Sequence, residues 1–243
     1  MKVQDKHQNN PETQSYQTSV ITSCGSLNIV YNQDCLEAMK LMKDNEFDLA
    51  IIDPPYGMVG NVFQMKSKKL LKEGQKSARL DDKKSNIGFD LNKPPDEIFF
   101  NELFRVSKNQ IVFGMQYFTK YLPPHQCVIV WDKVNGGSYF SDAEIAWTSF
   151  DTATRIARIH NPSNNRIHPT QKVIKLYDYI LLNYAQKGMK ILDTHVGSGS
   201  SRIACYKNGF DFVGFEINKE FYEAQEKRFN DFKRQGNLFI ENN

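Results

Sequence analysis

Asp53-Pro54-Pro55-Tyr56 brings together one carboxylate, backbone carbonyls of restricted geometry and one aromatic face. That set suits gripping a flat ring that carries an amine. The carboxylate and a carbonyl can accept the amine hydrogens while the phenol ring lies against the plane. Rigidity comes from the prolines: Pro54 has no N–H, and Pro55 biases the residue before it away from helix. Taken alone, the tetrapeptide equally describes a strand followed by a Pro-Pro turn with a solvated aspartate.

A second group lies in Ile191–Ser200, which reads as strand, glycine turn and helix. Gly197 and Gly199 let the backbone approach a ligand at a helix N-terminus. A dinucleotide turn of the G-x-G-x-x-G type needs a third glycine at position 202, where this chain has Arg202. A pyrophosphate ligand is therefore disfavoured. Glu216 follows Gly199 by 17 positions at the end of the next strand, where an acidic residue accepts hydrogen bonds from ribose hydroxyls. The pair points to a nucleoside cofactor without a diphosphate, of which S-adenosylmethionine is the obvious member. Asp34, at a third strand end, can bind the adenine amine of such a cofactor or cap the helix that starts at Cys35; both readings stand.

The elements that must position these groups alternate along the chain. Short apolar runs at 27–31, 47–52, 110–114, 127–131, 144–148, 190–193 and 211–216 read as strands. Between them, helical spacing appears at 35–42, 96–106, 117–122, 171–186, from the glycine turn to 208, and from 219 to about 233. Thr170 is a candidate N-cap for the helix after it. About seven strands with interleaved helices predict an α/β fold: an open, doubly wound, mostly parallel, Rossmann-like sheet. Asp53 then sits at the carboxyl end of a strand, the edge where such sheets hold ligands.

Two stretches fall outside that alternation. Residues 1–24 are rich in Gln, Asn, Ser and Thr and predict a disordered polar leader, with the globular domain spanning 25–243. Residues 57–95 form a basic insert with nine basic and four acidic residues, a surplus larger than the whole chain's net charge of +3. Leaving directly from Tyr56, it can neutralise phosphates, with Lys66, Lys68, Lys69 and Lys72 as the candidate contacts. The four cysteines are far apart and form no C-x-x-C pair, so they read as reduced thiols in a cytoplasmic protein, with neither disulfides nor a metal site. No apolar run reaches membrane-spanning length, and no signal peptide is predicted.

With these motifs in place, the sequence resembles the amino-DNA methyltransferases of the adenine-N6 / cytosine-N4 family. The resemblance covers about residues 27–230. Asp53–Tyr56 matches the catalytic motif, Asp193–Ser200 the cofactor motif, His168-Pro169-Thr170-Gln171-Lys172 the segment before it, Val213–Glu216 the ribose-binding strand, and Asn32–Cys35 the adenine-contacting one. The catalytic motif precedes the cofactor motif, the permuted order often called the β class. The family's usual Pro-Phe is replaced by Thr194-His195, and Val173 stands where proline is common.

The resemblance implies transfer of a methyl group from S-adenosylmethionine to the N6 amine of an adenine flipped out of double-stranded DNA, as in restriction-modification systems. Asp53, Pro54, Pro55 and Tyr56 would be catalytic. Cofactor contacts would come from Asp34, Cys35, Thr170, Lys172, Asp193, His195, Gly197, Ser198, Gly199, Ser200, Glu216 and Ile217. Target recognition would lie in the short segment 151–167, through Arg155, Arg158, Asn164 and Arg166, since Arg and Asn read base edges bidentately. Aspartate rather than serine at position 53 favours adenine. Cytosine-N4 transfer and a catalytically silent DNA-binding subunit are the alternatives, and a homodimer is compatible with the sequence.

Overall fold

In the computed structural model, residues 27–57, 93–135, 141–162 and 166–240 are described, the side chains of 236–240 excepted. The strands are β1 (Asn28–Tyr31), β2 (Phe47–Ile52), β3 (Ser107–Phe113), β4 (Val128–Asp132), β5 (Ala143–Thr148), β6 (Arg155–Arg158), β7 (Lys190–Asp193) and β8 (Asp211–Phe215). They form one sheet in the order β1-β8-β7-β2-β3-β5-β4-β6. Only β5 runs against its neighbours; every other pairing is parallel. The carboxyl ends of the other seven strands therefore share one edge of the sheet, and β5 contributes its amino end to that edge.

The helices are α1 (Cys35–Met39), α2 (Glu97–Val106), α3 (Ile174–Tyr184), α4 (Ser200–Asn208) and α5 (Lys219–Ile240). Two apolar layers cover the faces of the sheet. One joins Met39, Phe99, Phe100 and Leu103 from α1 and α2 to Phe47, Ile52 and Phe215. The other joins Leu176, Tyr177, Ile180 and Leu181 from α3 to Leu49, Ile111, Trp131 and Ile191. Along β2, Leu49 and Ile51 enter one layer and Ala50 and Ile52 the other, because successive side chains of a strand alternate between faces. That is why Phe47–Ile52 is an apolar run with a single interruption at Asp48, and why it reads as a buried parallel strand. Each buried Leu, Ile or Phe contributes about 1.5–3 kcal/mol, so these layers dominate the stability of the sheet.

α2 is amphipathic, with Phe99, Phe100, Leu103 and Val106 inward, and the Asp96 side chain caps it by accepting from Phe99 N at 3.2 Å. α4 ends at Gly209 in the left-handed conformation, φ 73°, which glycine adopts without steric cost.

Several expectations are corrected. The sheet has an eighth strand: Arg155–Arg158, within the segment expected to recognise the target and not expected as a strand, pairs in parallel with β4 as edge strand β6. Arg-Ile-Ala-Arg has no apolar run to announce a strand, and only Ala157 is buried. The helix expected over 117–122 is a single 3-10 turn at Met115–Tyr117, set off by Gly114 at φ 70°. α3 begins at Ile174, with Val173 at its N-cap position, so Thr170 does not cap it. Thr170 lies outside the helix and its hydroxyl meets His168 Nδ1 at 3.2 Å. Most of the basic insert, residues 58–92, and the polar leader lie outside the described residues, as do Lys66, Lys68, Lys69, Lys72 and Asn164.

Candidate active site

The direction of winding reverses between β7 and β2. From β7 the chain passes through α4 to β8 on one side; from β2 it passes through α2 to β3 on the other. A crevice opens at the carboxyl ends of strands at such a switch point. β7 ends at Asp193, at the head of the glycine turn, and β2 ends one residue before Asp53. The topology thus places the two motifs side by side, although 140 residues separate Asp53 from Asp193.

Asp53 is held from two sides. Tyr56 donates its hydroxyl to Asp53 Oδ1 at 2.5 Å. The Lys172 ammonium forms an ion pair with Oδ2. A carboxylate has about four lone-pair sites, so each oxygen retains capacity for a further donor. Pro54 is buried behind it. The Tyr56 ring stacks on Tyr117 with centroids 4.8 Å apart and planes 19° apart, and meets the edge of Phe118. Burial and the neighbouring Asp53 and Glu144 carboxylates raise the Tyr56 phenol far above its ordinary value, so it stays a donor.

Lys172 was expected from sequence at the cofactor. Its side chain points to Asp53: it is 4% exposed, pairs with Asp53 and with Glu144 Oε2 at 3.0 Å, and lies over the Phe113 ring at 4.7 Å. Its backbone carbonyl does face the glycine turn, accepting from Ser200 Oγ at 2.7 Å. Burial alone would lower the Lys172 pKa, but the two carboxylates outweigh it and hold the ammonium above its ordinary range. Glu144 in turn pairs with Lys133 at 2.8 Å. Burial would raise the Glu144 carboxyl, yet Lys172 and Lys133 bring it below the usual range. Sequence reading missed Glu144, Lys133, Gly114 and Tyr117. Glu144 reaches this edge only because β5 is antiparallel, and no spacing rule signals that.

The glycine turn forms the other wall. Gly197 and Gly199 have φ 52° and 76°. Glu216 accepts backbone N–H groups from Gly197 on Oε2 and from Asn218 on Oε1, both at 2.9 Å, leaving a lone pair on each oxygen. Burial raises its pKa against those two bonds. Asp193 is fully enclosed, accepting from His195 N at 2.9 Å and Ser201 Oγ at 2.6 Å; burial pushes its carboxyl up to about 7. His195 packs beside Phe99 at 5.6 Å and shares a 2.8 Å contact with the Thr194 hydroxyl, and burial pushes its imidazole down to about 4. Ser198 and Ser200 are buried beside Arg228, which donates to the Ser198 carbonyl at 2.7 Å and to Ser200 Oγ at 2.9 Å.

At the end of β1, Asp34 is the N-cap of α1, accepting from Leu36 N at 2.7 Å, and it is exposed. The Cys35 thiol is pushed up to about 12 by burial and by Asp34, so it stays protonated. Asn32 Nδ2 donates to the carbonyls of Glu216 and Ile217, at 2.8 and 3.2 Å, tying β1 to β8 at this edge. Acceptors at the ends of β1, β8 and β7 fit the hydroxyls and amine of a nucleoside. Arg202, where a pyrophosphate turn has glycine, is committed elsewhere: it donates to Asn28, Gln225 and Glu226.

Of the expected recognition residues, Arg158 stands at the same edge, 3.7 Å from Asp132, while Arg155 is at the opposite end of β6. Arg166 is exposed and donates to the Pro162 carbonyl. Among the described residues no helix is long and apolar enough to cross a membrane. No group of three or more His, Cys, Asp or Glu side chains among them could hold a metal.

A family model described as DNA methylase matches residues 63–227, more than half of the chain; Asp53–Tyr56 lies just before the matched range. The chain is 24% identical to the type II methyltransferase M.HpaI of Haemophilus parainfluenzae, covering 80% of this chain and 72% of that protein. It is 22% identical to the type II methyltransferase M.HinfI of Haemophilus influenzae, covering 87% and 70%. Among solved structures, an M1.HpyAVI-SAM complex aligns with a TM-score of 0.54 at 18% identity, over 83% of this chain and 98% of that one. The cytosine-N4-specific PvuII DNA methyltransferase aligns with a TM-score of 0.55 at 14% identity, over 84% and 87%.

Proposed function

Because this chain belongs to the N6/N4 DNA methylase family, we propose that it transfers the methyl group of S-adenosylmethionine to the exocyclic N6 amine of an adenine in double-stranded DNA. The observation that carries this reading is the oriented carboxylate of Asp53, fixed by Tyr56 and Lys172 beside the glycine turn.

The cofactor supplies an electrophilic methyl group on a sulfonium. Glu216, with a free lone pair on each oxygen, would accept the ribose hydroxyls, and Asp34 would accept the adenine amine while capping α1. Gly197 and Gly199 keep side chains out of the turn that the cofactor must approach.

Adenine's amine is a poor nucleophile because its lone pair is delocalised into the ring. Asp53 and the Pro54 carbonyl would accept its two hydrogens and draw the nitrogen toward a tetrahedral arrangement, localising the lone pair. A base can reach such a site only after leaving the duplex stack. Tyr56, with Tyr117 beside it, supplies the aromatic surface against which the extruded ring would lie. Formation of the C–N bond would break the methyl carbon–sulfur bond, leaving the sulfur as a neutral thioether; the nitrogen would then release one proton, and Asp53 would already be hydrogen-bonded to it. Alignment of the two substrates supplies much of the acceleration in a direct transfer of this kind. Aspartate rather than serine at position 53 supports adenine over cytosine.

The test is incubation of the folded protein with S-adenosylmethionine carrying a labelled methyl group and DNA of varied sequence, followed by nucleoside analysis. N6-methyladenine from the wild type, and none from Asp53→Ala, is the expected result. N4-methylcytosine instead would overturn the choice of base. No methylated base at all, from protein that binds the cofactor, would leave only a silent DNA-binding subunit.

A further inference from the structure

We propose that Glu144 and Lys172 act as a positioning pair for Asp53, the ammonium being shared between two carboxylates so that Asp53 is held in orientation while both its oxygens can still accept a donor. The inference rests on the reading of Asp53 as the group that accepts the amine hydrogens.

Charges alternate along this chain of groups: Lys133, Glu144, Lys172 and Asp53, ending at the Tyr56 hydroxyl. They sum to zero, so the site carries no net charge into a buried place. Each member arrives on a different element: Lys133 follows β4, Glu144 lies near the start of β5, Lys172 precedes α3, and Asp53 follows β2. Glu144 Oε2 is a buried atom without a hydrogen-bond partner, and the Lys172 ammonium 3.0 Å away is its ion-pair partner. A carboxylate buried without such compensation is expensive. Glu144 therefore serves the ammonium, and through it Asp53.

Two effects follow. An ammonium facing Asp53 alone would bind that carboxylate outright and weaken the oxygens that must accept the amine hydrogens. Division between two carboxylates loosens that hold. The lysine side chain is also fixed in space: the Phe113 ring lies under it at 4.7 Å and a carboxylate stands at either side of its head. Asp53 is thus held on its Oδ2 side by a lysine that is itself fixed, as Tyr56 holds it on the Oδ1 side.

The groups that face Lys172 define its titration. They are Asp53, with Tyr56 behind it, after β2; Glu144 on β5, with Lys133 behind it; and His168 from its own segment, while Tyr177 on α3 faces the same two carboxylates. Both carboxylates raise the lysine pKa. Loss of one lets the ammonium discharge at a lower pH.

The experiment is a double-mutant cycle with Glu144→Gln and Lys172→Met, plus Glu144→Asp as the conservative control. Glu144→Gln should lower kcat for methyl transfer about 10- to 100-fold, the scale of a misplaced reacting group. The dissociation constant for S-adenosylmethionine, read by calorimetry, should stay within about twofold, and the alkaline limb of the pH–rate profile should move to lower pH. Glu144→Asp should recover most of the rate. The double variant should be no slower than Lys172→Met alone, since residues that act as a unit are not additive.

Wild-type kcat for Glu144→Gln, an unmoved alkaline limb, or additive losses would overturn the pairing while leaving the proposed methyl transfer intact. An inactive wild type would overturn that reading and this one together. Should Glu144→Gln fail to fold by circular dichroism, Lys172→Arg replaces it. That variant keeps the charge but moves it, and a wild-type rate there also overturns the proposal.

Discussion

A Cβ atom on Gly114 would stand 2.2 Å from Cε1 of Tyr56. The glycine ends β3 at φ 70°, and the tyrosine ring occupies the space that any other residue would fill. Strand β3, far from Asp53–Tyr56 in sequence, thereby sets where the Tyr56 ring can lie.

Gly114→Ala should therefore damage the site more than the fold. The left-handed backbone alone costs about 1–2 kcal/mol for a non-glycine residue. Overpacking against the ring adds about 1–3 kcal/mol unless the ring moves. Movement of the ring breaks its 2.5 Å bond to Asp53 and its stack on Tyr117. The expected outcome is a loss of kcat of about 10-fold or more, with cofactor affinity unchanged because the glycine turn is untouched. Steady-state kinetics beside a cofactor titration would decide it, and an unaltered kcat would show that the ring is free to relocate.

How far the sequence carries follows from which interactions are local. Asp53–Tyr56 and the Gly197–Gly199 turn are legible because prolines and glycines restrict the backbone at their own positions. β2 is legible because a strand covered on both faces is an apolar run. Lys172 is visible as a residue but not as a partner of Asp53; that depends on the order β7-β2-β3-β5, which only the folded sheet defines. Glu144 is invisible for the same reason, since an antiparallel strand inserted between two parallel ones brings it to the ligand edge. β6 hides because its burial is limited to Ala157.

Arg202 is a clamp that joins three elements. It donates to Asn28 Oδ1 on β1 at 2.8 Å, to Gln225 and Glu226 on α5 at 2.9 and 2.5 Å, and lies 3.9 Å over the Phe229 ring. Burial lowers its pKa despite Glu226, but it remains charged. Arg202→Met would leave the buried Gln225 Oε1 without its donor and the Glu226 carboxylate without its ion-pair partner, with only the Gln225 amide still donating to it. A broken buried pair costs about 3–5 kcal/mol, and the partial exposure of Glu226 puts this one near the lower end. For a domain of this size, that lowers the thermal midpoint by roughly 6–12 °C. Cofactor affinity measured below the transition should be within about twofold of wild type; a larger loss would mean that Arg202 helps hold the ligand.

The histidines give the fold a defined acid limit. Burial pushes His195 down to about 4, and burial together with Lys172 does the same to His168. A folded pKa below the ordinary 6.5 means that the unfolded chain binds protons first. The stability tied to each neutral ring is then full above pH 6.5 and is lost as pH falls toward 4. Asp193 works in the opposite sense: with its folded pKa near 7, its contribution is full below pH 3.8 and is lost as pH rises through 7. His195→Phe, which installs the residue usual in the resembling family, removes one of the two acid-labile groups. Its thermal midpoint should fall less steeply than the wild type's between pH 6.5 and 4.5. Parallel curves would show that the His195 ring is as readily protonated in the fold as outside it.

Arg155 and Arg158 separate two ideas of where DNA lies. Both are exposed on β6, but they occupy opposite ends of the strand, about 10 Å apart at 3.3 Å per residue. Register with β4 sets Arg158 beside Asp132, at the carboxyl edge shared with Asp53, and sets Arg155 beside Ile129, toward the far edge. DNA that delivers a base to Asp53 must cross the carboxyl edge, so Arg158 is the one placed to meet a phosphate. Its distant pairing with Asp132 at 3.7 Å, in solvent, holds it only weakly. Each phosphate neutralised contributes about −0.9 to the slope of log affinity against log salt. Arg158→Gln should therefore make that slope shallower by about 0.9, while Arg155→Gln leaves it unchanged. Equal changes in both would place the duplex along the whole length of β6. No change in either would move phosphate contact away from this strand altogether, toward the basic segment that follows Tyr56.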